Sequence, residues 1–428
     1  MERHLLIKFL LWVSLVLLEL HGYLGCLDEE RIALLEFKAS VNWIKADHGP
    51  LLHTWFDDIA SDCCTWERLK CNRTTARVID LELNDTRQSY DADEERIWFL
   101  NMALFLPFQE LQHLDLSRNS FDGWVMNEGL SNLLLENNDV NIRVLENTLW
   151  MVFTSFHTLG FERLSTLKRL EFLNLGGNRF NNSILQSLGA LTSLKTLILI
   201  DNRLEGSFPA QELAALSNLQ MLDLSLNGLN DSCTDQELGT LSNLEILDLS
   251  YNKFVGSIPL TIAALTSLAV LSLGGNTLND SQPIQGLCEL KNLEELDLSV
   301  NNFEGILPPC LKNLTSLRML DLSWNHFRGN IPSSIITSLS SLEYISLSHN
   351  HFEGTFLFNS FANHSKLEVV ELLSDDGKLE VETQFPTWIP TFQLKILIIS
   401  NCKLNKYTGA IPEFISNQYN LRIVDLFP

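Results

Sequence analysis

Three histidines, His326, His349 and His351, come closest to a chemical constellation in the sequence. Imidazoles on neighbouring chain segments can ligate zinc or titrate near neutral pH. Four aspartates, Asp223, Asp248, Asp297 and Asp321, each sit in the tetrapeptide LDLS and taken singly resemble acid–base carboxylates. They recur once per segment with the same neighbours, which reads as a solvated stripe. For the histidines, solvated turn positions are the plainer reading. The chain has no phosphate-cradling GxxxxGK[ST], no HExxH, no nucleophile elbow and no kinase signature. No catalytic residue, metal site or cofactor is expected, and an enzyme is the least expected class.

The segments carrying these residues are copies of one another. From Leu170 the pattern LxxLxLxxNxL/F restarts at Leu194, Leu219, Leu244, Leu268, Leu293, Leu317, Leu342 and Leu367, in steps of 24 or 25 residues. Two steps of 27 then lead to Leu394 and Leu421. A separate copy begins at Leu111 and a degenerate one at Val78. Leucines alternating at period two predict a short strand with one apolar face. One strand cannot bury that face alone, so stacked turns must share a core and a parallel sheet. A solenoid grows by adding turns, so 428 residues need not mean several globular domains.

Asn178, Asn202, Asn227, Asn252, Asn276, Asn301, Asn325 and Asn350 stand eight residues after each first leucine. An amide there can donate to one buried carbonyl and accept from a neighbouring N–H, a structural role. After it, Gly-x-[Ile/Phe/Leu]-Pro recurs at 206–209, 256–259, 305–308, 329–332 and 409–412. Glycine supplies a turn conformation and proline bars a full helix before it. Side chains two, four, six and seven residues after each first leucine should face the open side of the sheet. Position seven reads Asp201, Leu226, Tyr251, Gly275, Val300, Trp324 and His349. Exposed apolar residues that vary on a constant scaffold suit ligand readout. The candidate binding residues are Met221, Leu226, Tyr251, Val300, Met319, Trp324, Tyr344 and His349.

Residues 1–25 read as a secretory signal: Arg3, His4 and Lys8 precede the apolar run Phe9 to Leu18. That run is short of the roughly 20 residues a membrane span needs; a signal anchor is the alternative. Eight cysteines suit an oxidising compartment. Cys26, Cys63, Cys64 and Cys71 form a cluster that allows three pairings. Cys288 and Cys310 fall on neighbouring turns, which leaves a bridge open, and Cys233 and Cys402 have no evident partner. Cys402 takes a ladder-asparagine position, where a small buried thiol can substitute. Asn72, Asn84, Asn181, Asn230, Asn279, Asn313 and Asn363 are glycosylation acceptors. With 30 Lys and Arg against 53 Asp and Glu, the net charge is -23; nucleic acid and anionic lipid are therefore poor partners.

The GxIP element and the 24-residue period resemble plant-specific leucine-rich repeats. The segment LDEERIALLEFKAS (27–40), Trp55 and CCTWERLKC (63–71) resemble the N-terminal cap of plant leucine-rich-repeat receptors. Leu69 stands where that family usually has valine. The overall match is to plant receptor-like proteins, cell-surface receptors without a kinase domain. The resemblance implies an α/β solenoid, curved, with a concave parallel sheet and short 3-10 segments on the convex side. It also implies cap bridges Cys26–Cys63 and Cys64–Cys71. The expected order is cap 26–75, degenerate repeats 76–123, an irregular insertion 124–169, and repeats 170–428 with the last truncated. Deleting about 31 residues near 130–160 would restore the register, so that stretch is retained intron sequence or a genuine loop.

By that resemblance the chain recognises an extracellular peptide, glycan or protein and signals through a membrane receptor kinase as co-receptor. It would sit on the extracellular side of the plasma membrane if a longer form has a membrane helix, and otherwise be secreted to the apoplast. The alternatives are a soluble wall-localised inhibitor or decoy similar to polygalacturonase-inhibiting proteins, or a nonfunctional truncated product.

Overall fold

Leucines at period two do form three-residue strands, each closed by a turn that returns the chain through a short 3-10 or helical segment. The computed structural model describes residues 26–41, 52–58, 61–86, 98–126, 161–230, 238–279, 286–385 and 388–427. The secretory signal, Cys233 and the stretch 130–160 lie outside them. The chain divides into two compact units, residues 1–196 and 197–428.

In the first unit the cap helix Asp28–Val41 buries Ala33, Leu34, Phe37 and Val41. Its acidic residue Glu30 is fully buried, accepts from the Val78 N–H at 3.2 Å and lies 3.5 Å from Arg77 Nε. Burial pushes its carboxyl up. Trp55 is buried, stacks on Trp66 at 5.6 Å and donates Nε1 to the Glu67 carbonyl. Disulfides join Cys26 to Cys63 and Cys64 to Cys71, the pairing the cap resemblance implies. The strand Leu69–Cys71 pairs antiparallel with Val78–Glu82, and His113–Asp115 and Phe172–Asn174 follow in parallel.

That last pairing concerns the expected insertion. His113 lies opposite Phe172 although 59 residues separate them, and Asn178 Nδ2 donates to the Leu116 carbonyl at 3.0 Å. The ladder therefore closes across the intervening segment with no loss of register. At both edges the segment is repeat structure: Gly123–Val125 pairs with Phe99–Asn101, and Phe161–Thr166 is a 3-10 segment. Trp124 is buried and donates Nε1 to Ser187 Oγ. Of the expected interruption 124–169, residues 124–126 and 161–169 are described and continue the repeat structure, and residues 127–160 lie outside the described residues.

In the second unit, parallel strands run in register from Met221–Asp223 through Ile246–Asp248, Val270–Ser272, Glu295–Asp297, Met319–Asp321 and Tyr344–Ser346 to Val369–Leu373. Ile396–Ser400 and Ile423–Asp425 follow. Short second strands, among them Glu304–Gly305, His326–Gly329 and His351–Phe352, pair beyond each turn. The GxIP glycines Gly206, Gly256, Gly305, Gly329 and Gly409 all have positive φ, the left-handed turn that glycine adopts without steric cost. The first 27-residue repeat, begun at Leu367, also contributes a strand, Leu379–Glu382, pairing with Gly354–Leu357 and with Lys403–Leu404.

The asparagine ladder does more than one exchange per turn. Asn301 Nδ2 faces the carbonyls of Leu273 at 2.9 Å, Leu298 at 3.2 Å and Ser299 at 3.0 Å, while its Oδ1 accepts from the Leu278 N–H at 3.0 Å. Cys402 fills the ladder position only in part. Its Sγ donates toward the Leu372 and Ser400 carbonyls, and Asn405 Oδ1 takes over acceptance, from the Thr383 N–H at 2.8 Å. Burial pushes the Cys402 thiol up to about 11, so it remains protonated and able to donate. Cys288 and Cys310 form the disulfide that spacing left open.

Candidate functional site

On the solvent side of the second unit's sheet, the register sorts side chains into columns that run across the strands. Met221, Ile246, Val270, Glu295, Met319, Tyr344 and Val369 align in one. Asp223, Asp248, Ser272, Asp297, Asp321, Ser346 and Glu371 align in a second by the same pairings. A third consists of the residues just before each ladder position. There Leu226, Tyr251, Val300, Trp324 and His349 have φ between 51° and 54°, and Gly275 has φ 68°.

A left-handed residue is what reverses the chain between strand and ladder asparagine, and glycine fills it most cheaply. For a side-chain-bearing residue the conformation costs about 1–2 kcal/mol, and a β-branched one such as Val300 is a marked outlier. Leu226, Tyr251, Val300 and Trp324 are nonetheless exposed, with Tyr251 at 61% and Trp324 at 57%. Four of the eight candidate residues thus form an apolar line over five successive turns, with Gly275 on the middle one. His349 extends it: its ring stacks on Trp324 at 3.6 Å and its Nδ1 lies 2.9 Å from Asp375 Oδ1. Met221 and Met319 are half-buried in their strands. Tyr344 is the least free of the eight, since its hydroxyl lies 3.1 Å from Asp321 and 3.3 Å from Glu371. Burial and those two carboxylates push its phenol well above the usual range.

The aspartates depart from a fully solvated stripe: all four are half-buried. The Asp223 and Asp297 carboxyls are held above the ordinary range, first by burial and then, among lesser causes, by neighbouring aspartates. Their Oδ1 atoms accept backbone N–H bonds from Ser225 and Ser299, as Asp248 does from Ser250 and Asp321 from Ser323. Asp223 and Asp321 also accept from the Ser225 and Ser323 hydroxyls at 2.6 Å, so they cap the strand turn within their own LDLS. The histidines do not converge either. His326 and His351 stack at 5.7 Å on the second strands, while His349 belongs to the Trp324 stack. Among the described residues no group of three or more His, Cys, Asp or Glu is placed to hold a metal ion.

One feature escaped the sequence reading. In the turn LGGN (273–276) two glycines replace the usual serine and side-chain-bearing residue. A Cβ on Gly275 would stand 2.7 Å from Tyr251 Cδ1, and one on Gly274 would stand 2.7 Å from Asp297 Oδ2. The missing side chains make room for a tyrosine ring and a carboxylate from the turns on either side. The double glycine was the signal available in the sequence.

The sequon asparagines of this unit, Asn230, Asn279, Asn313 and Asn363, are exposed and lie outside the inner strands. In the first unit Asn181 is exposed and caps a 3-10 segment, Asn72 bonds Glu110, and Asn84 is half-buried.

Repeated strands, an asparagine ladder, GxIP turns and a two-disulfide cap define a leucine-rich-repeat protein of the plant type. Family models agree. The leucine-rich repeat region matches residues 206–425, just over half of the chain, and the leucine rich repeat N-terminal domain matches 27–72. The chain therefore belongs to the leucine-rich-repeat family, and its relatives are plant receptor-like proteins. Receptor-like protein 9a of Arabidopsis thaliana is 39% identical over 204 residues, covering 48% of this chain and 17% of that protein. Receptor-like protein 14 of the same plant is 43% identical over 205 residues, covering 47% and 18%. The matched stretch thus spans less than a fifth of those relatives' length. Among solved structures, the LRR ectodomain of the plant membrane receptor kinase GASSHO1/SCHENGEN3 from Arabidopsis thaliana, in complex with CASPARIAN STRIP INTEGRITY FACTOR 2, is similar with a TM-score of 0.62 and 26% identity. It covers 92% of this chain and 44% of that one.

Proposed function

We propose that this chain is an extracellular ligand-recognition module of a plant receptor-like protein. Its open sheet face would read a peptide, glycan or protein, and a membrane receptor kinase would act as co-receptor at the extracellular side of the plasma membrane. The observation that carries the reading is the apolar line Leu226, Tyr251, Val300 and Trp324, exposed in left-handed positions that glycine would fill at lower cost. A scaffold role alone gives no reason to keep large side chains there. The sequon asparagines Asn230, Asn279, Asn313 and Asn363 lie outside the inner strands that form this face. The cap disulfides suit passage through the secretory pathway. No helix among the described residues is long and apolar enough to cross a membrane.

The test immobilises the secreted chain and measures binding of apoplastic peptides, wall oligosaccharides and receptor-kinase ectodomains, with the double variant Tyr251→Ala, Trp324→Ala alongside. A ligand lost by the variant, followed by ligand-dependent recruitment of a kinase ectodomain, is expected. Ligands bound equally by both proteins would refute the assignment of the face. Inhibition of polygalacturonase by the chain would move it to the wall-inhibitor class.

A further inference from the structure

Resting on that reading, we infer that the ligand is a basic peptide lying extended across the strands, its cations on the aspartate column and its apolar side chains along the Tyr251–Trp324 line. The argument begins with how the chain treats its other carboxylates. Beyond the Met221–Val369 column, at the residue before each strand, acidic residues have basic partners: Glu294 and Glu343 share Arg318 at 3.4 and 3.0 Å, and Glu368 has Lys395 at 2.6 Å. In the first unit Asp80 has Lys70 at 2.6 Å and His113 at 3.1 Å. Among the described residues, Asp223, Asp248, Asp297 and Asp321 have no such ion pair, although they are half-buried and stand on successive or alternate turns. A face carrying carboxylates without counter-charges is complementary to a cation, and it disfavours an acidic ligand by like-charge repulsion.

The same surface offers the second half of a cation site. At the Gly274–Gly275 notch the Tyr251 ring and the Asp297 carboxylate close on one dipeptide from opposite turns. The two groups fill the space of the missing side chains, so a guanidinium or ammonium lying over them from the solvent side meets an aromatic ring and a carboxylate together, the pairing that arginine exploits best. Trp324, 57% exposed and backed by the stacked His349, is a second platform two turns on.

The column also has a rhythm. Acidic residues occupy two turns, Ser272 the next, two turns again, then Ser346, then Glu371. Parallel strands are about 4.8 Å apart, so the pattern repeats about every 14 Å, and four residues of an extended peptide span about 13 Å. Basic residues at i, i+4 and i+8 therefore meet the acidic turns, with apolar residues between them reaching the aromatic line.

The experiment uses the secreted full chain at physiological salt and a fluorescein-labelled synthetic 12-residue peptide with arginine at every fourth position and leucine or tyrosine between. Controls are the citrulline version, which is neutral and nearly isosteric, and a same-composition peptide with its arginines clustered. The combined variant Asp223→Asn, Asp248→Asn, Asp297→Asn, Asp321→Asn keeps the Oδ1 acceptors. A charge-matched control carries Glu212→Gln, Glu304→Gln, Glu353→Gln and Glu413→Gln, all at exposed positions elsewhere. The spaced arginine peptide is expected to bind at least about tenfold tighter than either control peptide, and to lose about tenfold or more only in the aspartate variant. Circular dichroism and thermal unfolding confirm that both variants fold, and Tyr251→Ala supplies an independent route should the fourfold change unfold the chain. Equal loss in both charge variants would mean nonspecific attraction to an acidic protein and overturn the proposal. Tighter binding of a neutral peptide or wall oligosaccharide, sensitive to Tyr251→Ala, would overturn the cationic ligand while leaving the recognition face intact. No dependence on either set of residues would remove both.

Discussion

Replacing Asn301 by alanine is expected to cost about 2 kcal/mol, more than any exposed substitution on the sheet face. The side chain is 5% exposed and serves four backbone groups. Its removal orphans the Leu278 N–H of the preceding turn, while the Leu273 carbonyl loses one of its two donors and keeps Asn276 Nδ2 at 2.9 Å. Each buried orphan costs about 1–3 kcal/mol, less the modest gain from freeing a side chain. Asn301→Asp should be worse than alanine, because a carboxylate would face three carbonyls 2.9–3.2 Å away and could donate to none. Asn405→Ala should match Asn301→Ala, since Asn405 performs the acceptance that Cys402 cannot. Urea unfolding with a fitted slope measures the loss, and amide exchange at Leu278 localises it. An Asn301→Ala cost below about 1 kcal/mol, or an aspartate as stable as the alanine, would refute the ladder account.

Val300→Gly should stabilise by about 0.5–1 kcal/mol, because relief of left-handed strain exceeds the extra chain entropy of glycine; an unchanged or lower melting temperature would contradict this. Removing the Cys288–Cys310 bridge with a double alanine variant should cost about 3 kcal/mol for a closed loop of this length, read by thermal unfolding. Asp297 is raised in the folded state, so its contribution to stability is present at low pH and is lost as pH rises through its folded pKa. Asp297→Asn should accordingly melt higher than the parent at neutral pH, an advantage that shrinks as pH falls into the ordinary carboxylate range. An advantage that grows on acidification would reverse the sign.

The scaffold was legible because each of its elements repeats. Leucine at period two, asparagine at position eight and glycine before IP each have one physical role, and multiple copies removed the ambiguity a single strand would carry. The disulfide between Cys288 and Cys310 was not decidable, since the stagger of two convex segments depends on how each 3-10 segment closes. The candidate site was legible as positions but not as contacts. Counting seven residues from a leucine found Tyr251 and Trp324, yet nothing local to either predicts the His349 stack or the tyrosine ring above Gly275. The aspartates were misjudged as solvated for the same reason: their burial comes from the turns on both sides, which no single LDLS contains. Tyr344 looked like a free anchor, but its hydroxyl is engaged by carboxylates 23 and 27 residues away.

Scaffold and the proposed readout positions are adjacent along the sequence but opposed in energetics. The ladder asparagine recovers hydrogen bonds in every turn where it occurs, and that surplus lets the preceding residue be chosen against backbone preference. Five side-chain-bearing residues at φ near 50° sacrifice on the order of 5 kcal/mol in all, a sum a long solenoid distributes over many turns. Where glycine does occupy the position, at Gly275, the space is taken by Tyr251 from the previous turn. The face is thereby built from pairs of turns rather than single ones, so specificity should respond to substitutions at Gly274 and Gly275 as strongly as to loss of the aromatic residues. Gly274→Ser restores the serine of the other turns and displaces the Asp297 carboxylate, with the ladder bonds of Asn276 left in place. If it weakens ligand binding without lowering the melting temperature, the glycines serve recognition; if it lowers both together, they serve packing.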